Sequence, residues 1–402
     1  MPWFGRLLVV AGILTAGLLV VLVAAMVQQA TRSPEPAPPA IVETPPRVAP
    51  LSDADIQRCA DCHSSACEHF FETPHARTLT AAVGDEVFAR FLGPNSDGRA
   101  VDGTLPMFRY RRDGELLAAI GGRTDEHVRV DWIFGSGRHA QTPVAWSATP
   151  GGPLEGLEMH LSWYPGVGLS RTFDHQDDIG PGLLSLGMYE NQETLTACFD
   201  CHTTGLHVAL DGRPDVESFL PGVRCDKCHD GAREHLTSDG ETAMDRWSAL
   251  TPIESIEKCG ACHRTASSAA VQKYERSDPK LARFTPVGLS RSACFLQQGE
   301  RRLDCMTCHD PHQPPPTGDA FYTAKCVDCH STTASACTDQ PATSNCLPCH
   351  MPKRRLDLHL AFTDHWIRVL DPDDDAINIE SDTVASRPTR AVEATKPGKR
   401  SP

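Results

Sequence analysis

No block rich in lysine and arginine occurs in the 402 residues; 38 basic side chains stand against 52 acidic ones, for a formal charge of −14. Phosphate backbones are bound by basic surfaces, so a nucleic-acid partner is excluded. Charged residues at 22% and hydrophobic ones at 40% exclude both a chain disordered throughout and a membrane protein of many spans. Aromatic residues reach only 6%. Cysteine is the exception: 17 of them are too few for a small disulfide scaffold and too many for an ordinary enzyme.

Leu7 to Ala30 carries no charged side chain, and the 21 residues from Leu7 to Val27 are almost wholly apolar, long enough to cross a bilayer as one helix. The alternative is a secretory signal cleaved after Val23-Ala24-Ala25, although signal h-regions run only about 7–15 residues. Either reading exports the rest of the chain. Seven prolines between Pro34 and Pro50 predict an extended spacer, roughly 50 Å long at about 3.1 Å per residue. Residues 1–30 thus read as membrane anchor or signal and 31–50 as linker. Residues 51–370 form the working domain, and 371–402, acidic then basic, read as a disordered tail.

Cys-x-x-Cys-His recurs seven times. The motifs are Cys59, Cys62 and His63; Cys198, Cys201 and His202; Cys225, Cys228 and His229; Cys259, Cys262 and His263; Cys305, Cys308 and His309; Cys326, Cys329 and His330; and Cys346, Cys349 and His350. The chain's own Cys and His frequencies would give about 0.03 such motifs by chance. Two thiols three positions apart add to the two vinyl groups of one haem, and the adjacent His supplies an axial nitrogen to the iron. Zinc sites do not require His directly after each second Cys, and a thioredoxin-like pair occurs once in a chain, so both are set aside. The reading is seven covalent haem c groups, attached outside the cytoplasm.

Three cysteines lie outside the motifs: Cys67, Cys294 and Cys337. A Cys294–Cys337 disulfide is the favoured pairing, closing the loop that carries the fifth and sixth motifs; two separate buried thiols are the alternative. Eleven of the 18 histidines also lie outside the motifs, and neutral imidazole suits the second axial position of iron. His312 is the strongest candidate, on a proline-stiffened turn three residues past His309. His235, His359, His365 and His75 follow, with His207 and His139 weaker. Most of the others, His160 and His175 among them, read as structural.

No motif interrupts residues 64–197, whereas six fall within 198–350, about 25 residues each. So short a stretch per cofactor leaves the porphyrins to form much of the apolar core, which accounts for the low aromatic content. Asp113-Gly114 between Met107–Arg112 and Glu115–Ile120 is a hairpin signal. Alternation in His127–Phe134 and Leu157–Tyr164 predicts a small antiparallel β insertion over about 100–170.

Four segments resemble the multihaem c-type cytochrome superfamily that includes pentahaem nitrite reductase, hydroxylamine oxidoreductase and the cytochrome c-552/4-like electron carriers. They are Thr73-Pro74-His75-Ala76, Gly222 to His229, Cys305 to His312, and Cys346 to Lys353. Gly135-Ser136-Gly137 with Leu161 to Tyr164 is similar to the β insertion of the c-552/4-like chains. The resemblance covers roughly residues 55–370. It implies a mostly α, multihaem cytochrome c fold with haems stacked in its core, beside the small antiparallel β insertion and the N-terminal transmembrane helix. It also supports His75, His235 and His312 as distal ligands. The chain departs from the nitrite reductases in having no Cys-x-x-Cys-Lys. It departs from the hydroxylamine enzymes in having seven motifs rather than eight, and only five tyrosines.

The leading expectation is an electron-carrying cytochrome of a respiratory chain, tethered on the periplasmic side of the inner membrane by its N-terminal helix. Its partners would be redox proteins, quinol-linked or periplasmic cytochromes. The alternative is an oxidoreductase acting on a small nitrogen or sulfur species at one five-coordinate haem, with the first haem the candidate. A redox sensor would need a signalling domain, and none is visible.

Overall fold

The computed structural model describes residues 49–93, 99–100, 108–112, 114–120, 127–148, 154–175, 182–209, 212, 214–244, 246–330 and 345–370. Leu7–Val27, most of the proline-rich spacer, Cys337 and the 371–402 tail lie outside them.

Strands β1 (Leu79–Ala81), β5 (Trp132–Phe134), β6 (Thr142–Ala148), β7 (Leu154–Met159) and β10 (Gly187–Glu190) form one antiparallel sheet in the order β1-β5-β6-β7-β10. Strands β2 (Phe108–Arg112), β3 (Leu116–Ile120) and β4 (His127–Arg129) make a second, and β8 (Leu161–Tyr164) pairs with β9 (Gly168–Arg171). The β2–β3 hairpin registers Arg112 against Leu116, and Gly114 at φ +80° supplies the left-handed turn residue. Alternation sends Leu116, Ala118, Ile133, Met159, Leu161 and Leu169 inward to one core, with Phe91 and Tyr110 packed edge to face at 5.2 Å. Burial of each large apolar side chain there contributes about 1.5–3 kcal/mol. The Tyr110 hydroxyl donates to the Leu161 carbonyl at 2.6 Å and so fastens the second sheet to the β8–β9 hairpin.

The helices begin at recognisable caps. Asp53–Cys62 starts at a capping box of Ser52 and Asp55, Gln192–His202 at Asn191, and Pro252–His263 at a Thr251–Glu254 capping box with proline in its first turn. Cys225–Cys228, Cys305–Cys308 and Leu347–His350 are single turns of four residues. Side-chain cores around these helices are small: Val271, Leu281, Phe284 and Val287 form one, and Ile256, Leu289 and Phe295 another.

The expectation of a mostly α fold is corrected. Among the described residues helix accounts for 38% and strand for 20%. Three of the motifs, at Cys225, Cys305 and Cys346, sit on single four-residue turns rather than on longer helices, and the strands fill much of residues 79–190. Strand pairing also extends past 100–170 to β1 and β10, and to the Lys353–Arg355/Ala361–Thr363 hairpin. The N-terminal transmembrane helix is not shown either. Among the described residues no helix is long and apolar enough to cross a membrane, and Leu7–Val27 lies outside them.

Candidate haem centres

Each motif sits at the end of a helical turn. Cysteines at i and i+3 share a face of that turn, and the His follows where the helix stops. The His backbone N–H closes the last turn onto the first Cys carbonyl in four cases: His63 to Cys59 (2.8 Å), His229 to Cys225 (2.9 Å), His309 to Cys305 (3.0 Å) and His350 to Cys346 (3.1 Å). The geometry is therefore set locally, by the helix end rather than by distant packing.

Long-range packing then places a second imidazole opposite four of the seven motif histidines. Ring centroids are 6.2 Å apart for His63 and His235, 6.0 Å for His263 and His75, 6.0 Å for His229 and His312, and 6.2 Å for His309 and His365. Direct stacking would bring rings closer. Two metal–nitrogen bonds of about 2.0–2.1 Å, plus about 1.1 Å from each nitrogen to its ring centre, separate centroids by about 6.3 Å. The four pairs match the spacing of two imidazoles on one metal ion.

The second ring nitrogen agrees. Nδ1 of His202 donates to the Thr78 carbonyl (3.0 Å), that of His235 to Thr242 (2.7 Å), that of His365 to Thr363 (2.9 Å) and that of His350 to Arg368 (3.0 Å). Nδ1 of His312 meets the Asp310 carboxylate at 3.0 Å. An Nδ1–H held in this way leaves Nε2 as the free lone pair and fixes the ring for iron. Charge state fits as well. Burial drives His263 down to about 4, with His75, His202, His365 and His309 around it adding repulsion. Burial and then His365 bring His309 to about 4. Burial also lowers His75, His202, His229 and His365. Neutral imidazole is the ligating form.

The motifs also lie against one another. Lys227, inside the third motif, pairs with Asp200 inside the second at 3.0 Å. Lys258, just before the fourth, pairs with Asp230 just after the third at 2.7 Å. The Cys201 and Cys262 thiols lie near enough to bear on each other's protonation, as do those of Cys259 and Cys305. Asn345, before the seventh motif, holds Asp319 and Thr323 on the helix that ends in the sixth. Such clustering lets cofactors on neighbouring motifs meet.

His202 is placed differently. An aromatic cluster of Phe134, Trp146, Phe199 and Phe219 packs the five-stranded sheet onto the Gln192–His202 helix, with Trp146 stacked on Phe199 at 4.9 Å. The Phe134 ring meets the His202 ring at 5.1 Å. Among the described residues no imidazole faces His202 at the paired spacing. The first motif was the candidate open centre only in the alternative, enzymatic reading; His63 has His235 across from it at 6.2 Å.

The remaining candidates take other partners. His359 Nε2 meets Ser170 Oγ at 2.9 Å, and its ring lies 5.2 Å from Tyr164. His139 lies over Phe362 at 4.7 Å. His207 sits on a two-residue strand, its N–H donating to Ser218 Oγ. His160 and His175, read from the sequence as structural, form a buried pair whose Nδ1 atoms are 2.7 Å apart. Their separation of 15 positions carries no periodic signal. Cys67 and Cys294 are half-buried thiols; Cys337, the proposed mate of Cys294, is outside the described residues.

Three likenesses to known proteins are found. The family described as cytochrome c554 and c-prime matches residues 183–230, which carry the second and third motifs. A dissimilatory sulfite reductase, MccA of Wolinella succinogenes, is 22% identical over 378 residues, covering 74% of this chain and 50% of the relative. The chain thus spans about half the length of the curated relative it matches. An undecahaem cytochrome from the S-layer of Carboxydothermus ferrireducens aligns with a TM-score of 0.41 and 15% identity, over 81% of this chain and 53% of that one.

Proposed function

We propose that this chain, a multihaem c-type cytochrome, carries electrons in a respiratory chain through seven covalently held haems, on the periplasmic side of the inner membrane. Each haem supplies an iron that cycles between ferric and ferrous states. The protein's residues do the rest. Fourteen motif cysteines hold the haems, the motif histidines ligate from one side, and His235, His312, His75 and His365 from the other. The observation that carries this reading is the four imidazole pairs at 6.0–6.2 Å. Paired imidazoles such as these would occupy both sides of a bound iron, which would suit transfer rather than bond-making chemistry. With a formal charge of −14, the surface favours redox partners that dock through basic patches.

The exported protein should carry a mass increment of seven haems; five or fewer would refute the motif assignment. Its spectra should be dominated by six-coordinate, low-spin iron.

One observation favours a second reading, in which a small sulfur or nitrogen species is converted at a single open haem. That observation is the absence, among the described residues, of an imidazole opposite His202; the name of the sulfite-reducing relative points the same way. A high-spin component that shifts promptly with sulfite, hydroxylamine or cyanide would decide for it. Low-spin iron throughout would decide against it.

A further inference from the structure

Lysine and arginine are outnumbered 38 to 52 by acidic residues in this chain, yet two segments reverse the balance. Residues 273–291 and 353–368 carry nine lysines and arginines against four acidic side chains, and the two segments pack together. A Cβ built on Gly288 would lie 2.6 Å from the Trp366 backbone nitrogen. Ser292 Oγ donates to the His365 carbonyl at 3.1 Å and accepts from the Ile367 N–H at 2.8 Å. One buried carboxylate, Asp364, sits at the junction and takes Arg354 at 3.4 Å and Arg368 at 3.0 Å. Arg276 and Arg291 add two more guanidiniums. Arg291 donates to the Arg276 carbonyl at 3.2 Å, and neither side chain pairs with a carboxylate among the described residues.

The surplus charge is held in place without being cancelled. Arg368 lies 3.9 Å and Arg276 5.4 Å from the centre of the Trp366 ring, and an indole face steadies a guanidinium while leaving its charge intact. Burial and then the nearby Arg276 lower the Arg291 pKa from its usual value, with Asp364 pulling the other way. Cations crowd here beyond what one carboxylate balances. The rim is apolar: Val369, beside Arg368, is 82% exposed, and Leu296, four residues past Ser292, is 68% exposed. Tryptophan and arginine are the residue types that anchor protein interfaces. The patch also borders two haem centres. His365 sits within it, 6.2 Å from His309, and His350 Nδ1 donates to the Arg368 carbonyl at 3.0 Å.

We propose that this face docks an acidic electron-transfer protein, whose carboxylates seat on Arg276, Arg291 and Arg368, and exchanges electrons with it through the haems of His309 and His350. The proposal rests on the electron-carrier reading and gives it a second class of partner. One electron crosses in each encounter: a ferrous iron becomes ferric as the partner's centre is reduced, with no proton moved and no bond broken. Charge complementarity selects the occupant. With a formal charge of −14 on the whole chain, the rest of the surface attracts basic partners and repels acidic ones, and this face does the reverse. Partners of opposite charge are thereby kept to separate faces.

The test is stopped-flow oxidation of the reduced, haem-loaded protein between about 10 mM and about 200 mM salt. Hexacyanoferrate(III) is the anionic probe and tris(phenanthroline)cobalt(III) the cationic one. Despite the chain's net charge, oxidation by hexacyanoferrate should slow several-fold as salt rises, as attraction between opposite charges requires. Arg276→Gln, alone and with Arg291→Gln, should abolish or invert that dependence. Arg276→Lys should preserve it, and the cobalt complex should not distinguish the variants. Poly-L-glutamate should block hexacyanoferrate, whereas phosphate at equal ionic strength should not. Hexacyanoferrate rates that rise with salt in the unaltered protein overturn the proposal, as does equal salt dependence in the glutamine variants. Equal blocking by phosphate overturns it in favour of a small-anion site, and a dimer that salt dissociates overturns it in favour of a second copy. Failure of the carrier reading is distinct: neither probe would then oxidise the irons rapidly at any salt concentration.

Discussion

On the proposed reading of one haem per motif, replacing His75 with alanine should turn one iron from low-spin to high-spin and leave every haem attached. The His75 ring sits 6.0 Å from His263, and no other side chain on its segment offers a nitrogen there. Thioether bonds from Cys259 and Cys262 and the His263 ligand remain, so the haem stays while one axial position opens to water. The fold should survive, because what the segment gives its neighbours is backbone and a hydroxyl. The His75 carbonyl accepts from the Val223 N–H at 3.0 Å, and buried Thr73 Oγ1 donates to the Phe70 carbonyl at 2.7 Å. Neither bond uses the imidazole. Electron paramagnetic resonance should show a new high-spin signal of roughly one-seventh of the iron, and added cyanide should convert it to low-spin. His69→Ala is the control. His69 is half-exposed between Glu68 and Glu72, each 3.7 Å away, and its loss should leave the spectrum unchanged. An unchanged spectrum in His75→Ala would remove His75 as a ligand and, with it, the meaning given to 6 Å imidazole spacing.

How far the sequence reveals this arrangement depends on the range of each interaction. The motif itself is local: Cys59, Cys62 and His63 lie within five residues, and the helix end that presents them begins at Ser52 and Asp55, a pattern readable by eye. The mate of His263 lies 188 positions earlier, at His75. No spacing rule reaches so far, and His75 could be singled out only as a candidate without a partner. The β character of Leu157–Tyr164 was legible in its alternation, but the break at His160, which divides it between the end of β7 and β8 in two different sheets, was not. Other strands were hidden in the three residues of β1 and the four of β10, which are strands only because β5 and β7 pair with them. His160 and His175 were read as structural because a buried imidazole pair leaves no trace in composition. The mostly α expectation came from the family resemblance rather than from the residues of this chain.

The segment that carries His75 is fixed at one glycine, and Gly222→Ala should disturb the chain more than any other glycine substitution near a motif. Gly222 has φ +83°, where a Cβ adds about 1–2 kcal/mol. That Cβ would also sit 2.1 Å from the Ala76 carbonyl oxygen, a backbone atom that cannot swing aside. Relief requires moving the 75–76 segment or the 222–224 segment. The Gly222 N–H donates to the His202 carbonyl at 3.0 Å, Thr204 Oγ1 donates to the Gly222 carbonyl at 3.0 Å, and Arg224 N–H donates to Thr204 Oγ1 at 2.9 Å. One contact thus joins the second motif's histidine, the entry to the third motif and the fourth motif's partner imidazole. Strain of this kind costs about 1–3 kcal/mol beyond the dihedral penalty, for a total of about 2–5 kcal/mol. Gly231→Ala separates the two contributions. Gly231 has φ +79° with nothing within 4 Å of a built Cβ, so it should lose only the dihedral part, about 1–2 kcal/mol. Denaturant unfolding of the two variants should therefore differ by the clash alone. A high-spin signal in Gly222→Ala but not in Gly231→Ala would show that the displaced segment takes His75 away from its iron. Equal stabilities would mean that the close approach of Gly222 to Ala76 does not position that histidine.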